Sequence, residues 1–320
     1  MPRSTTVRWL LRLLGAVVLA VFAYQFVRVG KQLDWPAFLR ALGRPGNWRF
    51  LAVAVAFMPL NWWLEARKWN ALLQPFAAWP FGRVLRATLA GVSVSAATPN
   101  RIGEIGGRML LARRGEWSAV IASTLLGGLC QWVAFLGIAW PALVLTVYAL
   151  PGVAPAWLSP YWLLPVGPLL ILLAVVGGKP FLVGLLDWGG RRFRRDVSEL
   201  RGPLSRIRFS RMLVASGYAC ARFVVYCTQL YLLLWFFGVE LPVVTGLAGI
   251  AAIYLVQAGI PLPPGLNFVT RTELGLLLWG TGGPDAAVGV LAAYTALFSV
   301  NVLLPSLPGY WLIVRKNNTP

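Results

Sequence analysis

Histidine is missing from all 320 residues. Without imidazole there is no His general base, no Ser-His-Asp or Cys-His nucleophile pair and no His-containing metal site. Cysteine is nearly absent as well. Cys130, Cys220 and Cys227 sit in apolar segments without CxxC spacing, a pattern that suggests neither a disulfide framework nor a thiolate metal cluster. Charged residues make up only 12% of the chain, against roughly a quarter in soluble proteins, while 58% is apolar. Acids are scarcest, ten against 29 bases. No GxxxxGK(S/T) nucleotide loop and no DxxD-type carboxylate cluster for a divalent metal is visible. These deficits argue against most enzyme classes and predict no cofactor, no metal and no nucleic-acid partner.

What is present is a series of apolar stretches of about 20 residues, enough to place the fold itself in a bilayer. The pattern predicts an all-α polytopic membrane protein forming one integral membrane domain over 1–320. Six full crossings are expected, over 9–27, 47–64, 117–145, 161–176, 212–237 and 286–314. The first follows Arg3 and Arg8 but has no small-residue cleavage site after it, so it reads as a retained helix. The chain divides into an N-terminal helix and connector (1–46), a first repeat (47–150), a linking helix with a basic loop (151–211) and a second repeat (212–314).

The long polar segment 178–211 carries nine bases, including Lys179, Arg191, Arg208 and Arg211, against Asp187, Asp196 and Glu199. By the positive-inside rule it is cytoplasmic, which puts both termini in the cytoplasm as well. Lys31, Arg40, Arg44 and Arg49 fall on the opposite side in this scheme and run against the rule.

Two stretches resist assignment as single crossings. The first rises over 82–97, breaks at Thr98-Pro99-Asn100-Arg101 and returns over 103–112; the rising arm is about 24 Å long, short of a roughly 30 Å core. The second enters over 241–260, breaks across Pro261, Pro263, Pro264 and Gly265, and returns over 268–279. Its first arm is long enough to span. Each half thus reads as a full helix, a broken or re-entrant hairpin, and a second full helix interrupted late by proline. Pro99 pairs with Pro261, Glu104 with Glu273 and Pro141 with Pro305. The hairpins enter from opposite sides, so the halves form an inverted repeat of the kind found in secondary transporters. Broken backbone at membrane depth needs protein or water around it, which implies an internal midplane cavity.

The chemistry lies at the breaks. In TPNRIGEIGGR, Asn100 can cap the returning helix, Gly103, Gly106 and Gly107 permit close approach, and Arg101 and Arg108 flank a helix N-terminus suited to an anion. Glu104 and Arg108, spaced i, i+4, either pair with each other or line a substrate site. Thr270-Arg271-Thr272-Glu273 reads equally as a capping box or as a charged lining. Arg67, Gln131, Arg222 and Gln257 are further candidates for the lining, with interface anchoring the alternative for Arg67 and Arg222. The sixteen tryptophans need only form interfacial belts.

Taken together, Arg67-Lys68-Trp69, the run Pro99-x-Arg101-x-Gly103-Glu104-x-x-x-Arg108, the second proline-rich break and Glu273 resemble the transmembrane region of lysylphosphatidylglycerol synthases, a flippase-like membrane family. The likeness covers 48–313. It implies a polytopic protein of the bacterial inner membrane, concerned with moving aminoacylated phospholipid between leaflets while a separate soluble domain makes that lipid. No such aminoacyl-transferase domain precedes Pro320, so synthase activity is not expected. Gly128 and Gln131 stand where family members often carry Arg and an acid, a departure that counts against an aminoacyl-lipid substrate.

The expected function is therefore a non-enzymatic lipid translocator that binds an anionic headgroup near Asn100, Arg101 and Arg108, with Glu104 and Glu273 balancing charge. Its partners would be the membrane, a phospholipid or other anionic lipid, and a separate lipid-modifying enzyme. The alternatives are a membrane enzyme acting on a lipid-linked substrate, and a non-transporting partner of a glycosyltransferase or synthase.

Overall fold

The computed structural model describes residues 48–95, 102–150, 159–193, 197–260 and 264–309, together with Pro36 and Leu39. Every regular element among them is helical. Expectations for the first crossing, for Pro99, Asn100, Arg101 and Pro261, and for the end of the last crossing fall outside the described residues.

Prolines set most of the boundaries. Helix α1 (Trp48–Leu73) stops just before Gln74-Pro75, and α2 (Phe81–Ser95) starts immediately after Pro80. Helix α3 (Ile102–Leu110) returns beside α2. Helix α4 (Trp117–Ala134) passes through a π turn, Phe135–Ala139, into α5 (Trp140–Ala149). After one isolated helical turn come α6 (Val166–Phe193) and the short, polar α7 (Ser198–Arg206). The second half holds α8 (Phe209–Phe236), α9 (Val243–Ala258) opening after Pro242, α10 (Pro264–Trp279), and α11 (Pro284–Phe298), which runs into a second π turn, Ser299–Leu303. Pro264 and Gly265 therefore begin a helix, the position where proline costs no hydrogen bond.

The protein is an all-helical polytopic membrane protein. Among the described residues, Arg114–Ala149, Pro160–Arg192, Phe209–Phe236 and Asp285–Gly309 are long and apolar enough to cross a bilayer. They correspond to four of the expected crossings. Helix α1, at 26 residues, reaches about 39 Å but carries charge in its second half.

Two expectations change. Much of the polar segment that begins at 178 is helical, because Phe181, Leu182, Val183, Leu185 and Leu186 carry α6 on to Phe193, where Arg191 and Arg192 suit its negative dipole end. The second hairpin's first arm is 16 residues, about 24 Å, rather than a full span. Helix α9 is thus shorter than the hydrocarbon core.

Pro141 and Pro305 share a local device. In each case the residue before the proline, Trp140 or Leu304, donates its backbone N–H five residues back, to the carbonyl of Phe135 or Ser299. The wider turn makes room where a proline ring would clash with the carbonyl of the preceding turn.

Helix α1 packs along α8, and α2 against α3. A polar relay fixes the first pair to the α11 π turn. Asn61 Nδ2 donates to Asn301 Oδ1 at 2.9 Å, Asn301 Nδ2 to Gln229 Oε1 at 3.1 Å, and Gln229 Nε2 to the Ala54 carbonyl at 2.8 Å. All three side chains are buried. Asn301→Ala strands both neighbouring amides, and we expect a loss of about 1–3 kcal/mol. Denaturant titration in detergent, read against Thr228→Ala on the exposed face of α8, measures it.

Candidate functional site

The charges at the end of α1 do not mark an exposed helix tip. Apolar residues continue past them to Leu73, so Glu65 and Lys68 are carried into the interior, where each is at most 3% exposed. Glu65 is the centre of the site. Its Oε2 lies 2.6 Å from Lys68 Nζ and 3.2 Å from Arg222 Nη1 on α8, and its Oε1 lies 3.0 Å from Arg108 Nη2 on α3. Arg108, 1% exposed, also pairs with Glu104 one turn back, and its Nη1 donates to Thr124 Oγ1 on α4 at 3.2 Å. The Arg108 guanidinium lies 4.4 Å from the centre of the Trp69 ring, whose Nε1 donates to Ser123 at 2.9 Å. Cations from three helices therefore converge on one carboxylate, and α4 supports Arg108 and Trp69 from behind. Burying such a set is tolerated only because the charges satisfy one another.

The hairpin geometry delivers Arg108. At Gly107 a Cβ would strike the backbone of α2, 2.6 Å from Gly91 Cα, so only glycine lets α3 lie this close. Gly103 is buried. Gly106 faces open space, and the expectation that it serves close approach is corrected.

Sequence-predicted residues separate into groups. Glu104, Arg108 and Arg222 are brought together around Glu65. Arg271 joins Gln257 instead, donating from Nε to Oε1 at 2.7 Å, and lies 4.7 Å from the Tyr254 ring centre. Arg67 leaves the cluster for the faces of Trp63 and Phe81, at 5.0 and 4.5 Å. Gln131 is buried with its Oε1 unpartnered. Glu273 is exposed, and the capping box at Thr270 does not form because α10 has already started at Pro264. Glu65 and Lys68 were not among the candidates. The signal that would have found them is the opposite-charge i, i+3 pair inside an apolar pattern that resumes beyond it. Trp69 and Trp79 are likewise core residues rather than belt residues.

Beside the cluster lies an apolar groove of about 540 Å³ between α1, α2 and the turn after the α11 π segment, lined by Met58, Trp62, Trp63, Leu85, Leu89 and Pro305 among others. The Arg222 guanidinium, the most accessible cation of the cluster with 16% of its side chain exposed, sits 5.5 Å from the centre of the Trp62 ring.

The family model for the lysylphosphatidylglycerol synthase transmembrane region matches residues 9–309. The chain belongs to this family. The match takes in α1 to α11 and every residue of the Glu65 cluster, so the protein is a multi-pass membrane protein of a family concerned with lipid metabolism or transport. The curated proteins hold no match to it. For this lysylphosphatidylglycerol synthase transmembrane-region protein, the resemblance motifs acquire a physical meaning. Arg67-Lys68-Trp69 and Glu104-x-x-x-Arg108 meet because Lys68 and Arg108 share the Glu65 carboxylate and Trp69 stacks on Arg108.

Proposed function

We propose that this protein takes up an anionic phospholipid, with the phosphate at the open edge of the Glu65 cluster and an acyl chain in the neighbouring groove, and passes it between leaflets. One observation carries the reading: the charged cluster and the apolar groove meet at Trp62, which lines the groove and holds Arg222 against its ring. An amphiphile needs those two surfaces side by side. The charge balance fits as well. Lys68, Arg108 and Arg222 give three positive charges against two negative from Glu65 and Glu104, a surplus of one among these residues. A phosphodiester is drawn to such a cation-rich edge, and an arginine fork suits its oxygens.

In this reading the headgroup phosphate competes with Glu65 for Arg222, and no covalent bond is made or broken. The halves, α1–α5 and α8–α11, then rock about the site. Their matching order of long helix, short-armed hairpin and π-broken helix supports an inverted repeat and alternating access. Movement would draw on an ion gradient, the membrane potential or a downhill lipid gradient. The protein would lie in a bacterial inner membrane with both termini in the cytoplasm.

Leaflet exchange of fluorescent phosphatidylglycerol in proteoliposomes, read by quenching of the outer leaflet, tests the proposal. Arg222→Gln is expected to slow exchange about tenfold or more, as loss of one charge-assisted contact does. Arg201→Ala on the exposed α7 should leave it unchanged. Exchange in Arg222→Gln equal to that of the wild type overturns the site, and chemical conversion of the lipid seen by mass spectrometry overturns the non-enzymatic reading.

A further inference from the structure

The second half contains a polar group that the Glu65 cluster does not use. Arg271 on α10 has its Nε satisfied by Gln257, while no carboxylate lies within ion-pair distance of its guanidinium among the described residues. An arginine held in an apolar helical bundle without a counter-charge is costly and marks a site more often than a scaffold. Two phenols adjoin it. The Arg271 guanidinium lies 4.7 Å from the Tyr254 ring centre on α9, and the Tyr294 ring on α11 lies against Gly275, one turn further along α10, where a Cβ would come within 2.6 Å of Tyr294 Cε2.

Both phenols are almost wholly buried, at 3% and 2% exposure, yet neither hydroxyl has a hydrogen-bond partner among the described residues. Both lie on helices packed against α10, the helix that carries Arg271. Buried hydroxyls are ordinarily paired, and two unpaired ones on the helices that flank Arg271, itself without an ion-pair partner among the described residues, call for one explanation. Arg271 itself remains partly accessible.

We infer that Arg271, Tyr254 and Tyr294 form a second anion site, which takes a phosphate-class oxyanion through the free nitrogens of the guanidinium and the two phenol O–H groups. Arginine presents a planar fork to phosphate oxygens and phenols are neutral donors, so the set binds negative charge without bringing any of its own. Gln257 fixes the guanidinium by accepting from Nε, which leaves the terminal nitrogens for the ligand. Gly275 leaves room for the Tyr294 ring, since a Cβ there would come within 2.6 Å of Tyr294 Cε2. Helix α8 separates the two polar groups: Arg222 reaches Glu65 while the adjacent Phe223 packs edge-on against Tyr254, ring centres 6.1 Å apart. The inference rests on residues outside the Glu65 cluster and holds whether or not that cluster takes a lipid.

The test is the paired substitution Tyr254→Phe with Tyr294→Phe in the full chain, purified in non-ionic detergent and titrated calorimetrically with dihexanoyl phosphatidylglycerol and, separately, with inorganic phosphate. Phenylalanine keeps ring volume and removes only the hydroxyls. We expect affinity at this site to fall about tenfold or more, with the melting temperature of the ligand-free variant equal to or above that of the wild type, since two unpaired buried groups have gone. Arg271→Gln should weaken the same binding event. Arg222→Gln should leave that event intact and remove a different one, so failure at the Glu65 cluster is read separately. If inorganic phosphate binds as well as the lipid, the site takes the free anion; if only the lipid binds, it takes a headgroup. Unchanged binding of both ligands in the double variant, with a raised melting temperature, overturns the inference and makes the hydroxyls unsatisfied packing.

Discussion

Glu65→Gln is expected to cost about 3–5 kcal/mol of stability, the scale seen when one member of a buried ion network is removed. Lys68 and Arg108 are sealed from solvent and Arg222 is mostly so. With Glu65 neutral, these three cations would lose the carboxylate they share. The neutral amide keeps the shape and one acceptor oxygen, so the loss isolates charge rather than volume. A second substitution makes the argument sharper. Adding Lys68→Met removes one of the three cations that Glu65 balances, and the pair Glu65→Gln with Lys68→Met should recover a measurable part of what Glu65→Gln loses. Denaturation of detergent-solubilised protein, or yield of monodisperse protein after extraction, reads both. A Glu65→Gln variant within about 1 kcal/mol of the wild type would show that the cluster is held by something other than this carboxylate.

The second large effect is steric and opposite in sign at neighbouring positions. Gly107→Ala drives a methyl group into the backbone of α2, against the Ala90 carbonyl and Gly91 Cα. Backbone cannot rotate away as a side chain can, so the hairpin arms must part, at a cost of about 3 kcal/mol, the upper end of ordinary overpacking. Arg108 is the next residue, and its reach to Glu65 would be lost with the displacement. Gly106→Ala meets nothing within 4 Å. There alanine should raise stability by about 0.5–1 kcal/mol, through helix propensity alone. Thermal melts of the two variants side by side would settle the packing of the hairpin, since equal shifts are incompatible with it.

Much of the fold was legible in one dimension. Composition placed the chain in the bilayer, and apolar runs placed α4–α5, α6, α8 and α11. Prolines marked most breaks, because a residue without an N–H and with a fixed φ acts locally, whatever surrounds it. Pro141 and Pro305 each follow a π turn. Legibility failed where the outcome depends on neighbours. Polar residues after 178 masked the helical continuation of α6, and the cap-like Thr270 to Glu273 lies inside a helix that an earlier proline had already opened.

The site was only half visible. Glu104 with Arg108 could be read from i, i+4 spacing, since both partners lie on one helix face. Glu65 with Arg108 spans 43 residues, and Asn61 with Asn301 spans 240. Spacing within an element is a property of the chain; partnership between elements is settled by which helices pack together and exclude water. The sequence alone determined the membrane class, the positions of most of the long apolar helices, and the family. Only the tertiary structure decided that Glu65 is the hub, that Arg67 and Glu273 stand apart, and that Arg271 covers the ring of Tyr254, whose hydroxyl has no partner among the described residues. Burial turns a charge into an obligation to find a partner, and the identity of that partner is set by the packing of distant helices.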